Sequence, residues 1–255
     1  MSNLKNAFHF YLSSSIHVGI AVACLVKIAD PTSSNYAWMV FFGTILSYNF
    51  LKYKHLFFKN TFEIIRLNKI IASTLVAFIG FLFLFLQQKS NIQLQIGFAG
   101  FLVLLYPVVR KMGWFKIFYV SFVVSCVTLW IPVATNDAIE ILFLHRFLVL
   151  TILLLPFEIV DVNKDPLHLK TIPQLVGIEN TKRGGYLFLM ASCFVVFFYL
   201  PEMNNLVYKL VTILMLGAIY FATENRSKYY TLFWIESIPI VWWLLIYFYE
   251  VDYLF

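Results

Sequence analysis

The chain of 255 residues is 61% hydrophobic and 19% aromatic but only 13% charged, with a mean hydropathy of +0.81. A soluble domain is roughly 45–50% apolar and about 25% charged, so this composition excludes one. Sparse charge along an apolar chain also excludes disorder and nucleic-acid binding as its primary class.

What remains is a protein whose solvent is a bilayer, and its apolar residues come in runs near the roughly 20 residues that cross about 30 Å of hydrocarbon. In chain order the runs are Phe8 to Ile28, Tyr36 to Leu51, Ile70 to Leu86, Ile92 to Val109, Ile117 to Ala134, Ile141 to Val160, Tyr186 to Leu200, Leu206 to Ala222 and Tyr229 to Tyr249. The shorter ones are completed by flanking Lys, Tyr and Trp that snorkel to the interface. Run length without strict alternation predicts helices rather than barrel strands. The expected fold is all-α, a single nine-helix transmembrane domain over residues 1–255. Cys24, Cys126 and Cys193 lie inside apolar runs without CxxC spacing and read as small core residues. The residues Ala21 to Cys24 faintly resemble a lipoprotein cleavage site, but Lys5 alone supplies an n-region and His17 interrupts the apolar stretch, so a retained first helix is expected.

Charge gives the expected orientation. Lys5, the second connection (Lys52, Lys54, Lys59, Arg66, Lys69), the fourth (Arg110, Lys111, Lys116), the sixth (Lys164, Lys170, Lys182, Arg183) and the eighth (Arg226, Lys228) hold 15 of the 19 Lys and Arg. The other side carries Asp30, Asp137, Glu140, Glu202, Glu250 and Asp252, with Lys27 and Lys89. The positive-inside rule then places the N-terminus in the cytoplasm and the C-terminus outside, in a cytoplasmic (inner) membrane. The net charge of +6 is thereby a topology signal toward anionic lipid and requires no nucleic acid.

Three polar clusters fall on the expected cytoplasmic side. At the end of the sixth run Glu158, Asp161 and Asp165 stand at i, i+3 and i+7, so a helix continuing to Asp165 would put three carboxylates on one face. Such a stripe calls for a cation: either Mg²⁺ bridging to a phosphate, or Lys164, Lys170 and Arg183 at a solvated helix end. After the second run Lys52, His55 and Lys59 repeat that spacing with the opposite sign, beside Asn49. They read either as cations for a diphosphate or as snorkelling flanks. The fourth run ends in Tyr106, Pro107, Arg110 and Lys111, where Pro107 redirects the basic pair; the alternative there is a topology anchor.

Together these residues resemble the UbiA superfamily of intramembrane prenyltransferases. Asp161 and Asp165 match that family's second aspartate motif, DxxxD, and Lys170, Thr171, Ile172, Pro173 and Gly177 match its K-T-(L/I)-P-x-x-x-G tail. Tyr106, Pro107, Arg110 and Lys111 look like its Y-P-x-x-K-R signature. The first motif, NDxxDxxxD, departs: Asn49 is kept, but Phe50, Tyr53 and Phe57 stand at the aspartate positions. The resemblance implies a transferase that moves a polyprenyl group from an isoprenoid diphosphate to an aromatic or lipid acceptor. It also implies Mg²⁺ held by Glu158, Asp161 and Asp165, with Asp161 and Asp165 catalytic. Asn49, Lys52, His55, Arg110, Lys111 and Lys170 would bind the diphosphate or a related lipid phosphate.

The rival expectation is a non-enzyme, the same bundle kept as a lipid-binding or scaffold subunit with a protein partner. A transporter lacks support, because no internal repeat or matched pair of Gly/Pro-broken helices is legible. Arg146 beside His145 and Glu236 mid-way along the last run are costly in hydrocarbon and are expected to face the bundle interior, unless Arg146 snorkels outward.

Overall fold

A computed structural model of the chain describes residues 2–53, 61–133, 137–203 and 205–250, and these contain no strand. The helices are α1 (Ser2–Ser13), α2 (Ile16–Ala29), α3 (Ser34–Tyr53), α4 (Thr61–Leu86), α5 (Ser90–Val109), α6 (Lys116–Ser125), α7 (Ile139–Asp161), α8 (Ile172–Val176), α9 (Ile178–Tyr199), α10 (Leu206–Tyr220) and α11 (Ile238–Glu250). Short 3-10 turns cover Arg110–Phe115, Leu167–Leu169 and Pro201–Met203, and π-helical turns cover Cys126–Trp130 and Tyr230–Ile235.

Among the described residues each expected apolar run falls mainly on helix, but fewer helices qualify as spans than the nine expected. Four stretches are long and apolar enough to cross a bilayer: Asn68–Leu86, Ser90–Trp130, Ile139–Asp161 and Tyr230–Tyr249. A fifth is added if α1 and α2, bent by 56° at their junction, count as one span. The shortfall has identifiable causes. The fourth and fifth runs fall mainly within the single 41-residue stretch Ser90–Trp130, α3 carries Ser34, Asn35, Thr44, Ser47 and Asn49, α9 opens with Glu179, Lys182 and Arg183, and α10 is only 15 residues long.

The chain packs mainly against its sequential neighbours. α3 lies against both α2 and α4, α7 against α6 and α9, and α11 closes the arrangement by packing on α10 and α2. α7 is the inner helix, with Val149, Ile152 and Ile159 at 0% exposure. Its upper part joins Leu189, Val211, Met215, Ile219 and Trp242 in one core, while Val26, Tyr36, Met39, Val40, Ile96 and Ile131 form another. Where lipid removes the usual hydrophobic drive between helices, close backbone approach has to supply the packing. Small residues provide it: a Cβ on Gly80 would stand 2.8 Å from the Phe42 ring, and one on Gly19 would stand 3.1 Å from Phe41 and Ile45. The outer faces are the opposite of a soluble surface. Leu75, Ile79, Phe83 and Leu86 on α4, and Leu94, Phe98, Phe101 and Val108 on α5, are all exposed. Apolar patches of that extent belong in hydrocarbon, as in a membrane protein.

Two ends of the bundle differ. Asp30, residues 32–36, Gln88, Ile92 and Pro132 line one cleft, so three connections meet at one end. At the other end the turn Arg110–Phe115 packs on Leu167–Leu169. That contact requires glycine at position 113, which has φ 55 and where a Cβ would lie 1.6 Å from the Leu169 carbonyl oxygen.

Candidate functional site

The carboxylate stripe expected at the end of α7 is divided. α7 stops at Asp161, and residues 162–165 turn back, with Lys164 N and Asp165 N both donating to the Asp161 carbonyl at 2.9 Å. Pro166 keeps any helix from running on through Asp165, since the residue before a proline is pushed out of helical geometry. Asp161 consequently pairs with Lys164 at 2.8 Å on an exposed turn. Glu158 and Asp165 face the other way and share one ammonium. Lys116 Nζ lies 2.9 Å from Glu158 Oε1 and 2.9 Å from Asp165 Oδ2. Lys116 is the first residue of α6 and is buried, as is Glu158. Arg110 Nη2 stands 3.8 Å from the second oxygen of Asp165.

Two carboxylates are thus matched by two cations, the buried Lys116 and the exposed Arg110; around Lys116 and Glu158 the setting is nearly dry, and an unmatched charge there would cost several kcal/mol. As it stands the set does not fit a resident Mg²⁺. Among the described residues no three of His, Cys, Asp and Glu group to hold a metal, and the ammonium occupies the gap between Glu158 and Asp165. Glu158 Oε2 has no hydrogen-bond partner among the described residues, but a lone oxygen beside a seated ammonium offers a divalent cation a single protein ligand and a repelling charge.

Around this core the loop is tied by Gln174, whose Nε2 donates to the carbonyls of Asp165 (2.9 Å) and Val162 (3.3 Å) while its Oε1 accepts from Thr171 N. Arg110, Lys111 and Lys170 are exposed at the rim, on the two turns that Gly113 lets meet. Lys170 takes a left-handed conformation, φ 52, which closes the Leu167–Leu169 turn.

Asn49 has a different setting. Its Oδ1 accepts from Ser15 Oγ at 2.8 Å, and its Nδ2 donates to the Ser14 carbonyl at 3.2 Å and to Thr74 Oγ1 at 2.9 Å. Tyr53 OH donates to the Ser13 carbonyl at 2.8 Å, with Lys52 Nζ at 3.4 Å from the same oxygen. Ser15, at φ 61, breaks the first apolar run into α1 and α2, and a broken helix in a bilayer leaves carbonyls that need partners. The end of α3 supplies them, so Asn49 is a fully engaged structural bridge at 2% exposure. His55, Lys54, Phe57 and Lys59 lie outside the described residues.

The inward-facing expectation holds for Arg146, which does not snorkel outward. It donates from Nη1 to the Leu25 carbonyl at 2.8 Å, with its guanidinium 6.0 Å from the Trp242 ring centre.

Sequence reasoning read Lys116 as a topology charge and passed over Gln174. The available signal for Lys116 was its place five residues beyond Lys111 at the start of an apolar run, where a lysine is either an anchor or a buried partner for a carboxylate.

The class these features define is an all-helical protein with apolar helices suited to a membrane. Comparison with family models, curated proteins and solved structures gives no match to this chain.

Proposed function

We propose that the chain is a UbiA-like membrane bundle of nine spans, N-terminus inside and C-terminus outside a cytoplasmic membrane. In this reading it binds an isoprenoid diphosphate or a related lipid phosphate without transferring the prenyl group, as a lipid-binding subunit. The observation that carries this reading is the Lys116 ammonium seated between Glu158 and Asp165. Transfer in that family relies on metal ions to stabilise charge on the departing diphosphate, the largest lever for such a reaction. Here Phe50 and Tyr53 replace carboxylates at one end of the site and an internal ammonium answers them at the other. What is left for an anion is fixed positive charge: Arg110, Lys111 and Lys170 on the rim, which hold phosphate oxygens as point charges or, for Arg110, as a planar fork.

The test is retention of labelled geranylgeranyl diphosphate by purified protein in Mg²⁺ and in EDTA, with pyrophosphate release followed in parallel. Binding that changes less than about twofold on chelation, without release, supports the proposal. Arg110→Gln with Lys170→Gln should weaken binding about tenfold, or ~1.4 kcal/mol. Mg²⁺-dependent pyrophosphate release that Asp161→Asn with Asp165→Asn abolishes would overturn it in favour of a transferase. For orientation, a cysteine introduced beside Lys182 should resist an impermeant reagent applied outside; labelling from outside would reverse the topology.

A further inference from the structure

α9 and α10 pack side by side and come close where Gly185 meets Ile219: a Cβ on Gly185 would stand 3.1 Å from Ile219 Cδ1. Beside that contact the pair leaves a groove of about 460 Å³, within the range of about 300–1,000 Å³ common for ligand sites. Ile213, Leu216, Gly217 and Tyr220, at i, i+3, i+4 and i+7 of α10, line it from one side, and Tyr186 of α9 lines it from the other. The lining is almost wholly apolar, and Ile213, Leu216 and Tyr220 are exposed, so the groove opens on the lipid-facing surface. Gly217 makes the hollow. A Cβ there would come no nearer than 4.0 Å to another side chain, the Phe221 ring.

One end of the groove is basic. Lys182 stands one turn before Tyr186 on α9, and its Nζ donates to the Tyr220 carbonyl at 3.2 Å. Arg226 Nε donates to the next carbonyl, that of Phe221, at 2.9 Å, with its guanidinium 5.4 Å from the Tyr230 ring centre. The last carbonyls of a helix lack partners within it and draw cations, which accounts for where these two side chains stand. It does not exhaust them: one of three N–H groups on Lys182 and one of five on Arg226 are spent this way. Neither forms an ion pair with a carboxylate among the described residues. Glu179, one turn before Lys182, pairs with neither cation, and Glu224, two residues before Arg226, accepts instead from Asn163 Nδ2 at 3.1 Å.

We infer that this groove holds one acyl chain of an anionic phospholipid, with the lipid phosphate at Lys182 and Arg226. An apolar channel that ends in two fixed, unpaired cations repeats the order of such a lipid, chain and then phosphate. Basic pockets between membrane helices are where anionic headgroups collect. A zwitterionic lipid would bring its own ammonium against the two cations, and an apolar helix of a second copy would leave them unpaired. The groove shares no residue with the Lys116 cluster, and the inference stands whether or not that cluster binds a diphosphate.

The experiment uses the full chain in detergent with two probes, phosphatidylglycerol and phosphatidylcholine, each carrying a diazirine in one acyl chain; adducts formed on irradiation are mapped by peptide mass spectrometry. Phosphatidylglycerol is expected to label Tyr186 and residues 213–220 about tenfold more than phosphatidylcholine does. Lys182→Gln with Arg226→Gln should bring the two lipids level, and glutamine keeps an N–H for each carbonyl, so the end of α10 stays capped. Gly217→Leu should abolish these adducts from both lipids while thermal stability holds, because the new side chain enters free space and leucine favours a helix over glycine. Equal labelling of the groove by the two lipids in the parent protein, a measurement that needs no variant, overturns the inference. So does a preference that persists in the glutamine pair, labelling that is unchanged in Gly217→Leu, or a dimer in which the groove is shielded from both probes.

Discussion

Lys116 Nζ lies 2.9 Å from Glu158 Oε1, and each of these side chains is only 9% exposed. One ammonium therefore joins α6 to α7 at a depth where neither charge has water to fall back on. Removing it leaves Glu158 and Asp165 without their shared counter-ion. Lys116→Met is expected to cost about 3–5 kcal/mol, the scale for breaking a buried pair from one side. Lys116→Met with Glu158→Gln should recover at least half of that loss. Thermal unfolding of the parent, both single variants and the double variant closes the cycle. Additive losses would mean that the contact carries no coupling.

Asn49 separates a structural role from a ligand role. Asn49→Ala removes three hydrogen bonds and leaves the Ser14 carbonyl and Ser15 hydroxyl to find new partners. A loss of about 2–3 kcal/mol is expected, with diphosphate affinity unchanged in the folded fraction. Affinity that falls while stability holds would put Asn49 in the binding site instead.

Gly113→Ala places a Cβ on the Leu169 carbonyl at a φ that side chains rarely adopt. The turns bearing Arg110, Lys111 and Lys170 can no longer meet. The expected result is a stability loss of about 3 kcal/mol or more and a collapse of diphosphate retention. Wild-type retention in Gly113→Ala would show that the rim cations bind nothing together.

Asp30 offers a pH test at the opposite end of the bundle, in the loop before α3. Burial pushes its carboxyl up, but hydrogen bonds from Thr32 and Ser33 and the charge of Lys27 outweigh that and hold it below the usual value. A depressed folded pKa means stability that is present above the unfolded value of about 3.9 and is lost as pH falls through the folded one. The site is largely open to solvent, so Asp30→Asn should cost less than about 1 kcal/mol at neutral pH. That difference should shrink as pH falls through the lowered pKa of the folded carboxyl. A difference that grows on acidification would reverse the sign of the argument.

The helices were legible because apolar runs near 20 residues admit little else, and Ile141 to Val160 falls on helix almost to the residue. Their interruptions were not. Ser13, Ser14 and Ser15 form a small polar triplet within an apolar run, and only the partners on α3 decide that it breaks. The π turn at Tyr230–Ile235 has no proline or glycine to announce it. The carboxylate stripe failed for a local reason in plain view, Pro166. Which cation answers which carboxylate was hidden, because Lys116 lies 42 residues before Glu158 and only packing of α6 on α7 joins them. Glu236 was marked as anomalous by its position, but the packing of the π turn before it on α7 and α2 was not legible.

The π turn before Glu236 is an α-helix with one residue too many. Excising a single residue from Tyr230–Ile235 would regularise the turn and rotate everything on one side of it by about 100° relative to the other. Trp242 would then leave the Arg146 guanidinium, or Tyr230 would leave the Ala218 carbonyl to which it donates at 2.6 Å. The added residue is thus what lets one helix satisfy two incompatible phases, one keyed to α7 and the other to α10. A lineage that lost it would have to rebuild both interfaces, so a length change here is far less neutral than the same change in a connecting loop.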